Sequence, residues 1–105
     1  MALTVNDGSV ITLSQAAEWT QNYRNSEFYS GTNAVFYGKN KIASICNQSG
    51  AAGMRIYFAI NDNNEPTVVL IGAAEDGTDL ENGIIVERGV LCPPICGGGG
   101  GESVL

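Results

Sequence analysis

The sequence predicts an α+β domain: a small, mostly antiparallel sheet centred on a β-hairpin at residues 53–74, with two helices packed on one face. Three observations predict it. The stretch GMRIYFAI, NDNNEP, TVVLIGAA sets two runs of strand-forming residues around a polar turn, the pattern of a hairpin. Two segments with apolar residues at helical spacing precede it. At 105 residues, with 44% apolar and 15% charged side chains, the chain can bury one modest core and carries too little charge for wholesale disorder. A single domain over 1–96 and a flexible Gly-rich tail over 97–105 are expected.

Taken in order, Leu3–Val5 and Ser9–Ile11 flank Asn6-Asp7-Gly8, which predicts either a small hairpin or a loose arm. Thr12-Leu13-Ser14-Gln15 fits a capping box and starts a helix that ends near Asn25 or Ser26. Leu13, Ala16, Ala17 and Thr20 share a stripe on it, and Trp19 and Tyr23, spaced i,i+4, are expected to pack against the sheet. Residues 26–33 read as a loop, with Phe28 and Tyr29 tucked back onto the domain. Ala34–Tyr37 is a short strand candidate. A second helix is expected over about 40–48, burying Ile42, Ile45 and Cys46, with Gly50 as its stop.

In the first arm of the hairpin, Met54, Ile56, Phe58 and Ile60 alternate with Arg55, Tyr57 and Ala59, giving one apolar face and one mixed face. The second arm, Val68-Val69-Leu70-Ile71, is apolar on both sides and predicts a central strand. Residues 75–79 form a turn by composition, and Ile84-Ile85-Val86 is a further strand candidate. After Gly89 the chain reads VLCPPIC, where two prolines favour extended, polyproline-like backbone.

Composition excludes several functions. Net charge is −6, from five Lys/Arg against eleven Asp/Glu. Only Lys39 and Lys41 are close together, so no basic patch exists to bind nucleic acid or an anionic membrane. There is no histidine, which removes the commonest general base and any Ser-His-Asp or Cys-His arrangement within the chain. The GGGGG run lacks the Lys-Ser/Thr and helix of a phosphate-binding loop. The N-terminus has no positive n-region or long apolar run, so a Sec signal peptide is not expected, and neither is a membrane span. A cytoplasmic protein with no cofactor is the expectation. Three cysteines, an odd count, argue against a secreted disulfide framework.

Two places carry chemistry. Cys92-Pro93-Pro94-Ile95-Cys96 spaces two thiols by three residues. The pair can be inert, can close a local disulfide and act as a redox pair, or can bind a metal or another molecule. Cys46 is expected to be a small core residue. The second place is the mixed face of the hairpin, where Arg55 and Tyr57 are candidates for a ligand or interface face. Acidic loops at 61–65 and 75–81 match no calcium-loop pattern and read as solvated turns. Ser103-Val104-Leu105 has the shape of a C-terminal peptide ligand, against the simpler reading of a mobile end.

The helix LSQAAEWTQNYR, the hairpin GMRIYFAINDNNEPTVVLIGA and the ending RGVLCPPIC together resemble a family of short uncharacterised bacterial proteins. These share a WT..YR-like helix, a central β-hairpin and a C-terminal C-P-P-x-C motif. The resemblance spans most of residues 10–96 and implies a compact α+β protein; it implies no activity, cofactor or catalytic residue. The leading expectation is a non-catalytic module that binds another protein or assembles with itself. The alternative is a thiol-based redox or metal-binding protein using Cys92 and Cys96. A carboxylate enzyme using Arg55 or Tyr57 is a distant third, since no paired acid/base spacing stands out.

Overall fold

The computed structural model describes residues 2–97 and residue 105. The fold is α+β, in the order α1 (Leu13–Arg24), β1 (Ala34–Phe36), α2 (Lys39–Cys46), β2 (Gly53–Ile60), β3 (Pro66–Ala73), β4 (Ile85–Val86) and β5 (Val90–Cys92). The strands form two antiparallel sheets. One has the order β2-β3-β4, and the other joins β1 to β5. No described helix is long and apolar enough to cross a membrane.

The hairpin forms where the alternation predicts it. Its register runs from Gly53 opposite Ala73 to Ile60 opposite Pro66. Asn61 organises the turn: its carboxamide oxygen accepts from the amides of Asn63 and Glu65, and Asn64 sits at φ 64. Asn tolerates that left-handed conformation better than most residues. β3 is central in its sheet, as its two apolar faces require, and Leu70 and Ile71 are buried on opposite sides of it. β4 is too short to cover all of β3, and the Tyr37 hydroxyl caps the open Val68 carbonyl, tying the two sheets together.

α2 packs on the hairpin and supplies the centre of the core, with Ile45 fully buried. Gln48 fixes its end. The carboxamide donates to the Ile45 carbonyl (2.9 Å) and accepts from the Ile84 amide (2.8 Å). Gly72 lets this happen, because a Cβ there would lie 2.9 Å from the Gln48 nitrogen.

Four expectations are corrected. The packing of two helices on one face holds for α2 and is not seen for α1. That helix has no buried residue, and among the described residues it shares no extensive contact with another element. Trp19 remains 54% exposed and Tyr23 38%. Cys46 is an exposed free thiol; it is turned about 100° from Ile45 around the axis, and so short a helix buries only a narrow stripe. Tyr29 does tuck back, edge-on to Tyr23 with ring centroids 5.6 Å apart, but Phe28 is exposed. Of the two readings of the N-terminus, the hairpin does not form: the Asp7 carboxylate accepts from the amide and hydroxyl of Thr4, a local turn that competes with strand pairing. Leu3 instead donates its amide to the Glu75 carbonyl.

The fourth correction concerns the proline segment. It turns rather than extends, with cis bonds before Pro93 and Pro94. The tail expectation falls, apart from Gly97 and Leu105, outside the described residues.

Candidate functional site

The register assigns every hairpin side chain to a face. Met54, Ile56, Phe58 and Ile60 share one face with Val68, Leu70 and Gly72. Arg55, Tyr57 and Ala59 share the other with Thr67, Val69 and Ile71. Both predicted places can therefore be located, and a third emerges.

On the mixed face, Arg55 and Tyr57 do come together, around an aspartate at the end of the 75–79 turn. Asp79 forms an ion pair with the Arg55 guanidinium at 2.6 Å and accepts from the Tyr57 hydroxyl. Arg55 also donates to the Gly77 carbonyl at 2.9 Å. The turn at 75–79 folds back so that Asp79 bridges Ala73, which sets its carboxylate over the face. The Tyr57 hydroxyl holds the Asp79 carboxyl below the usual range, against partial desolvation and with help from Arg55. The same hydrogen bond raises the Tyr57 phenol, and Asp79 raises the Arg55 guanidinium further. A carboxylate so stabilised is a poor proton donor. The cluster clamps the 75–79 turn to β2 and spends its polar groups on one another. The signal in the sequence was a lone Arg on a half-covered face, which calls for a carboxylate partner.

The second place is a disulfide. Cys92 and Cys96 are bonded, with their Cα atoms 4.8 Å apart, inside the range a bridge requires. Cys92 ends β5 and is buried, whereas Cys96 is exposed. While the bond is closed neither sulfur is a thiolate, so this state of the pair is not a metal ligand. Among the described residues no group of three His, Cys, Asp or Glu is arranged to hold a metal ion. The disulfide borders an open groove of about 990 Å³, where Trp19 and Tyr23 of α1 face Phe36, Val90 and Ile95.

The third place is the apolar face of β2. Phe58 is 92% exposed, Ile60 70% and Ile56 51%. The cause is one of length. α2 has eight residues, about 12 Å, whereas an eight-residue strand spans about 27 Å. The helix sits at the Gly72 end and leaves the other end bare. These residues also lie on an edge strand, since β2 pairs only with β3 among the described residues. The Asn61 amide donates to the Glu65 carbonyl of the facing chain, whereas the carbonyls of Gly72 and Val68, opposite Met54 and Phe58, turn away from β2 to accept from the Leu80 amide and the Tyr37 hydroxyl. By the antiparallel alternation, the backbone groups of Arg55, Tyr57 and Ala59 then point inward, and those of Met54, Ile56, Phe58 and Ile60 point outward.

The sequence identified the apolar alternation but not its exposure, because periodicity does not say which stretch of a face a short helix covers. No family model, curated protein sequence or solved structure matches the chain.

Proposed function

We propose that this chain is a non-catalytic module that works by binding protein, through the outer edge and uncovered apolar face of β2. The observation that carries this reading is the exposure of Phe58, Ile60 and Ile56 beside an open row of backbone donors and acceptors. Soluble proteins guard such edges with Lys, Pro or a bulge. β2 has Pro66 opposite its end but no Pro or Lys within it, and its one charge, Arg55, is engaged by Asp79. The scattered positive charge and the acidic balance favour a protein partner over nucleic acid or an anionic membrane surface.

A photo-crosslinking amino acid in place of Phe58, in cells making the full chain, tests the reading. A discrete covalent protein adduct is expected, and none from the same group at Glu18, on the outer side of α1. Equal, diffuse labelling from both positions, or no adduct at position 58, sinks it.

One observation favours a second reading, a thiol-based redox protein: Cys92 and Cys96 are within bonding distance, with Cys96 at the surface. Two electrons and two protons from a dithiol reductant convert the bridge to two thiols. A cytoplasmic location goes with the open dithiol and an oxidising compartment with the closed bridge. Thiol trapping in intact cells, with elemental analysis of the purified protein, tests this. A pair that stays closed under dithiol reductants and carries no metal removes it.

A further inference from the structure

We propose that the partner of β2 is β2 of a second copy, joined antiparallel about a two-fold axis at Tyr57. The inference rests on the protein-binding reading above and names its partner.

The parity of the strand selects the arrangement. In a self-paired antiparallel edge, residues i and j oppose each other when i and j add to a constant. An odd constant sets the apolar face of one copy beside the mixed face of the other; an even one keeps like faces together. The even registers centred on Ile56 and on Tyr57 overlap equally, but only the one centred on Tyr57 pairs all the outward residues within the strand, with Met54 opposite Ile60 and Ile56 opposite Phe58. All four have outward backbone groups, so about eight hydrogen bonds close the joint. Arg55 meets Ala59, so no like charges oppose. A slip toward Arg55 brings the two arginines together and loses overlap.

The same register repairs the coverage defect. α2 sits at the Met54 and Gly72 end of its own hairpin. Antiparallel pairing sets that end of one copy beside Ile60 and Phe58 of the other. Each bare half-face thus gains the flank of its partner's helix, and the six strands form one sheet with both α2 helices on the same side. The interface is isologous: each copy offers the strand it receives. The isolated chain has 7740 Å² of accessible surface, against about 5,600 Å² for a monomeric protein of its mass. That surplus is spread over the chain, the exposed Val10, Leu13, Trp19 and Phe28 included, and an interface of roughly 800 Å² per partner would remove only part of it.

Sedimentation and amide hydrogen exchange of the full chain, at moderate salt to screen the net negative charge, form the test. A dimer is expected. The amides of Met54, Ile56, Phe58 and Ile60 should gain protection of tenfold or more with rising concentration, while those of Arg55, Tyr57 and Ala59 are protected throughout. In a mixed isotope-labelled sample, an inter-copy amide contact between Ile56 and Phe58 reads the register. Phe58→Lys, at a position too exposed to unfold the monomer, should weaken the dimer at least tenfold. A dimer whose even-numbered β2 amides stay unprotected overturns this inference but leaves the protein-binding reading standing. So does a monomer whose position-58 adduct is a foreign protein. A monomer with no adduct removes both.

Discussion

Asp79 holds two partners with one carboxylate, and its titration reports on both. Its folded pKa is depressed, chiefly by the Tyr57 hydroxyl. The stability it contributes is therefore present above the unfolded value, about pH 4, and is lost as pH falls through the lower folded value. Tyr57 is shifted upward by the same bond. Its contribution is present below about pH 10 and is lost as pH rises through the higher folded value. Asp79→Asn should destabilise the protein at neutral pH, and the gap from wild type should close in acid. It should also bring the Tyr57 phenol back toward its ordinary value. Thermal unfolding against pH and ultraviolet titration of the tyrosines check the two halves. A gap that persists unchanged in strong acid would show that the carboxylate acts through packing rather than charge. Arg55 and Tyr57 were legible as a pair, since alternation put them on one face. Asp79 was not, because only the path of the turn at 75–79 brings it there.

At the scale of elements, two contacts decide whether the small core holds together. The first is α2 on the hairpin, through Ile45, which is fully buried. Ile45→Ala should cost roughly 2–5 kcal/mol, measured by denaturant unfolding. A cost below about 1 kcal/mol would mean that the hairpin does not depend on α2. The second is the approach of β5 to β1. A Cβ on Gly89 would lie 2.7 Å from the Phe36 carbonyl and 2.6 Å from a Val35 methyl. A backbone oxygen cannot swing aside as a long side chain can, so Gly89→Ala should cost about 1–3 kcal/mol. It should also loosen the strand that carries Cys92, which faster exchange of the Phe36 amide, opposite Val90, would reveal; unchanged stability and exchange would refute the close approach. Helix and strand identities were readable here because capping at Thr12 and alternation in β2 are local. The pairing of β1 with β5 was not, because both strands have only three residues and are joined across most of the chain. The place of α1 was hidden for a related reason: its Trp19 and Tyr23 spacing marks an apolar stripe but not what covers it.

For the whole molecule the question is how a chain with so little interior stays folded. The radius of gyration is 15.2 Å, against about 13 Å for a compact domain of this length. The described fully apolar core amounts to a few residues around Ile45, Leu70 and Ile71. The self-association proposed above would resolve this, because binding that favours the native state stabilises it by mass action. If the native form is a dimer and the unfolded form a monomer, each tenfold rise in concentration favours the folded state by about 1.4 kcal/mol per dimer. The melting temperature of the wild type should therefore climb steadily over a hundredfold range of concentration. That of Phe58→Lys should stay flat and meet the wild-type value at the dilute end, since the substituted side chain touches little within its own copy. Differential scanning calorimetry over such a series distinguishes the cases. Parallel slopes for the two proteins would place the association elsewhere than β2, and flat lines for both would mean that the small core alone sustains the fold.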